Sequence, residues 1–125
     1  MANPNIVNVA TINGNTNYAA VGTGAPDTQI LSNAASSGKI YKVNSLYVSN
    51  IDGTASADVS VRVYNAATLG GTAFSIASTV AVAPDSTLVL ITKDSAIYIL
   101  ENSSMGIMAS ASGDLQFVCS WDEIS

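Results

Sequence analysis

The chain has no histidine, one cysteine and only four basic residues in 125 positions. Each shortage removes a class of function. Without histidine there is no imidazole base for neutral pH and no nitrogen ligand for zinc. Neither a Ser-His-Asp nor a Cys-His arrangement can be assembled. Cys119 stands alone, so no internal disulfide framework exists, which is compatible with folding in a reducing cytoplasm. No Ser-x-x-Lys spacing offers a lysine-activated serine, and no Gly-rich loop followed by lysine is present to cradle phosphate. No catalytic residue, cofactor or metal ligand is therefore expected.

The four cations, Lys39, Lys42, Arg62 and Lys93, are scattered, and nine carboxylates bring the net charge to −5. Phosphate backbones are gripped by groups of Lys and Arg, so no nucleic-acid partner is expected. Anionic membrane surfaces are disfavoured for the same reason. The longest uncharged aliphatic stretch, 88–91, falls far short of the roughly 20 residues of a membrane helix. The opening Met-Ala-Asn-Pro-Asn lacks the positive segment of a secretory signal, so none is expected.

Charged residues make up only 10% of the chain, against about 25% in an average soluble protein. Hydrophobic residues make up 48%, and Ser, Thr, Asn and Gly supply most of the remainder. A surface of small uncharged residues suits close packing against neighbours better than solitary life in solution. The carboxylates lend themselves to turns: Asp52, Asp85, Asp94, Glu101 and Asp114 all fall in or beside turn sequences, where aspartates bond their own backbone. Asp122 and Glu123 are adjacent in a strand pattern and point to opposite faces. Ile51-Asp-Gly-Thr54 supplies a single carboxylate, too few for a calcium loop.

Period-two alternation dominates the rest of the chain. In 58–65, Val59, Val61 and Val63 take one face, and Asp58, Ser60, Arg62 and Tyr64 the other. In the last strand, Leu115, Phe117, Cys119 and Trp121 share a face, opposite Gln116, Val118, Ser120 and Asp122. Further strands are expected at 29–32, 39–50, 74–82, 87–92, 96–100 and 105–111, with Gly113-Asp114 closing a hairpin onto the last. No apolar stripe of helical period is long enough for a helix. About eight short strands at this turn spacing imply one all-β domain, an antiparallel jelly-roll-like sandwich over residues 28–125. Residues 1–27, rich in Asn, Gly, Thr and Ala with a turn dipeptide at Asn13-Gly14, read either as an extended arm or loose hairpin, or as an ordinary first hairpin of the sandwich.

Trp121 and the tyrosines raise the alternative of a carbohydrate-binding module with a stacking platform. Trp121 shares its face with Leu115, Phe117 and Cys119, however, and is expected in the core. Cys119 reads as a small buried hydrophobe. Tyr41 and Tyr47 are assigned to the face of Val43, as core or subunit-contact residues. With Ile6, Val7, Val9 and Tyr18 of the arm, they form the candidate interaction set.

Two stretches, Tyr41-Lys-Val-Asn-Ser-Leu-Tyr-Val-Ser-Asn-Ile-Asp-Gly-Thr54 leading into Asp58-Val-Ser-Val-Arg-Val-Tyr64, and Ala109-Ser-Ala-Ser-Gly-Asp-Leu115 with Val118-Cys-Ser-Trp-Asp-Glu-Ile-Ser125, carry a resemblance. With Pro84-Asp-Ser-Thr-Leu-Val-Leu90 between them, they resemble small virion proteins of tailed bacteriophages of marine bacteria and cyanobacteria. The resemblance implies a β-sandwich structural component made in the host bacterial cytoplasm and housed in the virion. It would be a capsid decoration (cement) protein, a homotrimer bridging subunits of the major capsid protein or other virion proteins. A tail, neck or fibre component has the same general look. The resemblance transfers no catalytic residue, and residues 1–27 lie outside it.

Overall fold

The computed structural model describes residues 7–25 and 27–125. Among these, nine antiparallel strands form: β1 (Ile12–Ala20), β2 (Thr28–Asn33), β3 (Ile40–Asn50), β4 (Ala57–Ala66), β5 (Gly70–Val82), β6 (Thr87–Ile91), β7 (Ile97–Ile99), β8 (Ser103–Ala109) and β9 (Leu115–Ile124). They pair in two sheets. Sheet A has the order β1-β9-β3-β6, with the three-residue β7 also on β3, and sheet B has the order β2-β8-β4-β5. The chain thus forms the expected antiparallel sandwich, with the interleaved strand order of a jelly roll.

Alternation places the core. Val43, Leu46, Val48, Leu115, Phe117, Cys119 and Trp121 of sheet A face Val59, Val61, Met105, Ile107 and Ala109 of sheet B in one buried cluster. Burial at roughly 25 cal/mol per Å² of apolar surface is the main stabilising contribution. The strands cross between sheets at corners held by two buried asparagines. Asn33 Nδ2 donates to the carbonyls of Lys39 (2.9 Å) and Ile99 (3.2 Å), while its Oδ1 accepts from Ser37 Oγ. Asn50 Nδ2 donates to the carbonyls of Ala55 and Val82, both at 2.9 Å, and its Oδ1 accepts from the Asp52 amide. Both side chains are satisfied, as a buried amide must be to avoid a desolvation cost of about 1–3 kcal/mol.

Three local expectations differ from what forms. Residues 12–20 are neither a loose arm nor a hairpin: β1 pairs with β9 at nine successive positions, and Asn13-Gly14 lies within it. Ladder hydrogen bonds over the whole strand outweigh the turn preference of one dipeptide. The 113–114 turn does not close a hairpin, because β8 and β9 lie in different sheets. A local turn signal reports that the chain bends, not which sheet receives it. A one-turn 3₁₀ helix also forms at Lys93–Ser95, stabilised by reciprocal bonding between Thr92 and Ser95.

The one hairpin within a sheet, β4–β5, folds over the outer side of sheet B. Thr68 and Leu69 both have positive φ (56° and 58°), as a primed two-residue turn requires. That cost to non-glycine residues is offset by anchors: Thr68 N donates to Ser32 Oγ at 2.8 Å and Leu69 N to Ser104 Oγ at 2.9 Å. Leu69 and Asp27 then close over Gly106, leaving so little room that an added Cβ would lie 2.9 Å from a carbon of each. Asp27 is buried there. It accepts from Tyr64 Oη at 2.8 Å and Arg62 Nη1 at 3.3 Å, which explains why Tyr64 is buried on the solvent side of its strand. Burial, then the bond to Asp27, pushes the Tyr64 hydroxyl pKa up.

Gly106→Ala is expected to lower stability by about 1–3 kcal/mol through this contact, as overpacking does. Urea unfolding of the two proteins measures it; an unchanged midpoint would show that the Asp27–Leu69 lid yields freely.

Candidate interaction surface

The candidate interaction residues divide in the structure. Ile6 lies outside the described residues; Val7 is exposed and Val9 half-buried, both ahead of β1. Tyr41 faces inward, its ring 4.6 Å from that of Trp121, and burial pushes its hydroxyl pKa up. Tyr47 faces outward, not with Val43 as the alternation implied. The reason is a β-bulge: Val43 pairs with Trp121 and Ser45 with Ser120, leaving Asn44 as an extra residue. One inserted residue reverses the parity of everything after it.

Turned outward, Tyr47 joins a row that crosses sheet A. Tyr18 on β1 is opposite Val118 on β9, Val118 is opposite Tyr47 on β3, and Tyr47 is opposite Val89 on β6. All four are exposed, Tyr18 at 74%. The flanking positions, Ser120 and Ser45 on one side, Gln116, Ser49 and Thr87 on the other, are uncharged. Farther along the strands comes a row of Gly14, Asp122, Lys42 and Tyr98.

A second apolar region lies at the rim of sheet B. Phe74 pairs with Val63 and Val80 with Val59, so register gives both to the inner face of the sandwich. Phe74 is nevertheless 61% exposed, and Val80 is also exposed. The thirteen-residue β5 is met across the sandwich by a β6 of five, which is too short to cover it. Neither β5 nor any other edge strand (β1, β2, β6) contains Lys, Arg, Asp, Glu or Pro. Charge in the sheets is confined to the interior strands β3, β4 and β9. Natural sheets guard their edges with charge and proline, and these edges have neither.

At the opposite side of the sandwich, Asn17 Nδ2 donates to the Ile30 carbonyl at 2.8 Å and ties β1 to β2. Beside it opens a cleft of about 350 Å³ between Thr16, Tyr18, Gln29 and Phe117. It contains no titratable group besides Tyr18 and offers no pairing of acid and base.

Chemistry-bearing residues occupy structural positions. Trp121 packs in the core at 9% exposure, so it presents no stacking platform. Asp52 Oδ1 accepts from the amide and hydroxyl of Thr54, both at 2.8 Å, and these bonds hold its carboxyl pKa below the usual value. Lys39 pairs with Glu123 at 3.0 Å on the surface. Among the described residues no three His, Cys, Asp or Glu side chains gather as a metal site, and no helix is long and apolar enough to cross a membrane. Cys119 is fully buried, and desolvation pushes its thiol pKa up to about 12.

Neither protein-family models, nor curated proteins, nor solved structures give a match to this chain.

Cys119 has a measurable consequence. Its folded pKa lies above the ordinary thiol value of 9.0, so its contribution to stability is complete below pH 9 and is lost as pH rises from 9 toward 12, where only the unfolded chain ionises. Cys119→Ala is expected to flatten the alkaline fall in stability by on the order of 1 kcal/mol between pH 8 and 10. Urea titrations at the two pH values check it, and equal slopes for both proteins would contradict a buried neutral thiol.

Proposed function

We propose that this chain is a non-catalytic structural protein of a tailed bacteriophage particle, a decoration protein that stabilises the head by bridging capsid subunits. One observation carries the structural part of this reading: the inner-face residues Phe74 and Val80 stand uncovered on a long edge strand without charge or proline. An edge of this kind is a template for strand addition and exposes the apolar surface that an inserted segment would bury. The virion assignment is supported by the strand-and-turn resemblance, which covers roughly residues 39–125. In this reading the β5 rim receives an extended segment of the major capsid protein or another virion protein. Main-chain pairing along the free edge gives affinity, and Phe74 and Val80 supply the apolar contact. The protein would be made in the host bacterial cytoplasm and reside in the virion.

The test is sedimentation of the purified protein with phage heads that lack it. Wild type is expected to co-sediment, and Phe74→Lys with Val80→Lys to reduce occupancy by about tenfold or more, since buried aromatic anchors dominate such contacts. Both substitutions are at exposed positions, so the unfolding midpoint should stay near that of wild type. Undiminished occupancy of the double variant would remove the β5 rim from the contact, and no binding by wild type would remove the decoration role.

A further inference from the structure

We propose that the outer face of sheet A is a self-complementary surface on which two copies of this chain pair about a two-fold axis. The axis would run parallel to the strands, between β9 and β3. A face-to-face pair related in this way exchanges β9 with the partner's β3 and β1 with the partner's β6, keeping each cross-strand row at the same height.

The row order fits that exchange. Along the apolar row the residues alternate in size: Tyr18, Val118, Tyr47, Val89. The two-fold sets Tyr18 over the partner's Val89 and Tyr47 over the partner's Val118, large against small at every position. The outer row behaves likewise. Gly14 on β1 meets Tyr98 on the partner's β7, while Lys42 on β3 meets Asp122 on the partner's β9, twice over by symmetry. Within one chain Asp122 Oδ2 accepts from Asn44 Nδ2 at 3.0 Å, leaving its other oxygen beside the open space over Gly14.

Charge favours a second copy over a foreign partner. A chain of net charge −5 repels itself through most of its surface, yet the three central rows of this face carry no charge, and the outer row carries one of each sign. Lys42 and Asp122 are cross-strand neighbours within one chain, and a partner without a base and an acid in the reverse order would leave them unmatched across the interface. Four strands at about 4.8 Å spacing and about seven residues of each strand at about 3.4 Å rise make a face roughly 19 Å by 24 Å. That is a modest footprint, in keeping with a reversible dimer rather than an obligate one. Packed sheets keep their strands within about 30° of each other. The central row therefore stays opposed, and the four-carbon stem of Lys42 absorbs the offset at the end of the face.

Sedimentation equilibrium over a wide concentration range tests the pairing. Wild type is expected to dimerise reversibly. Val118→Lys, at an exposed position beside the axis, should weaken the dimer by about a hundredfold with unfolding unchanged. Lys42→Asp and Asp122→Lys each place two like-charge contacts in the pair and should weaken it by about tenfold. An equimolar mixture of those two variants restores both contacts and should return to within about threefold of wild type. A wild type that stays monomeric, a trimeric mass, a dimer indifferent to Val118→Lys, or a mixture no tighter than its components would each overturn the proposal. If Asp122→Lys unfolds through loss of the Asn44 bond, Val118→Lys decides alone. The pairing does not rest on particle attachment, so a monomer that still sediments with heads overturns only the dimer.

Discussion

Sheet A depends on a single ladder, that between β3 and β9. β9 is the strand to which β1 is hydrogen-bonded, and β3 carries β6 and β7 on its other edge. Most of the large buried side chains of this sheet come from the same two strands, with Ile91 of β6 and Ile99 of β7 beside them. Alternation along the ladder assigns each residue to core or solvent, and Asn44 interrupts it once. Tyr41 therefore packs on Trp121 beneath the sheet, while Tyr47, six residues later, stands above it. A single bulge thereby adjusts the core and creates the outward row.

Sheet B solves a different problem. Its outer side is sealed locally by the chain itself, through Leu69 and the buried Asp27 lying over Gly106. Arg62, Tyr64 and Asp27 form a polar cluster whose carboxylate is withdrawn from water while the guanidinium remains partly solvated. Pairs of that kind fix geometry more than they add stability. The two outer faces therefore differ: sheet B is partly closed by its own hairpin, and sheet A is open.

Much of the fold was legible because burial imposes a strict period. Val59, Val61, Leu115, Phe117 and Cys119 alternate without interruption, and all are buried as their pattern implies. What local pattern cannot carry is pairing between distant strands. Val118 sits among polar residues of its face and looks incidental until β1 and β3 place Tyr18 and Tyr47 on either side of it. Phe74 and Val80 fall in a segment that the pattern marks only as a strand; that β6 is short and lies across the sandwich, leaving them uncovered, is a fact of packing and not of local pattern. The bulge at Asn44 has no signature in sequence alone, and so Tyr47 was assigned to the wrong side.

The order of strands along the chain also sets a timetable. Leu46 of β3 waits for Cys119 of β9, and Tyr18 of β1 for Val118, so sheet A cannot close until residues 115–124 are available. Sheet B can begin earlier, with β4 and β5 adjacent in sequence. Such long-range pairing is slow to form. During that interval β1 and β3 are unpaired strands, one without a charge and the other with a single lysine, Lys42. The hazard of unguarded strands is thus present before folding is complete as well as at the edges of the finished sandwich, and it lasts until β9 reaches its place between β1 and β3.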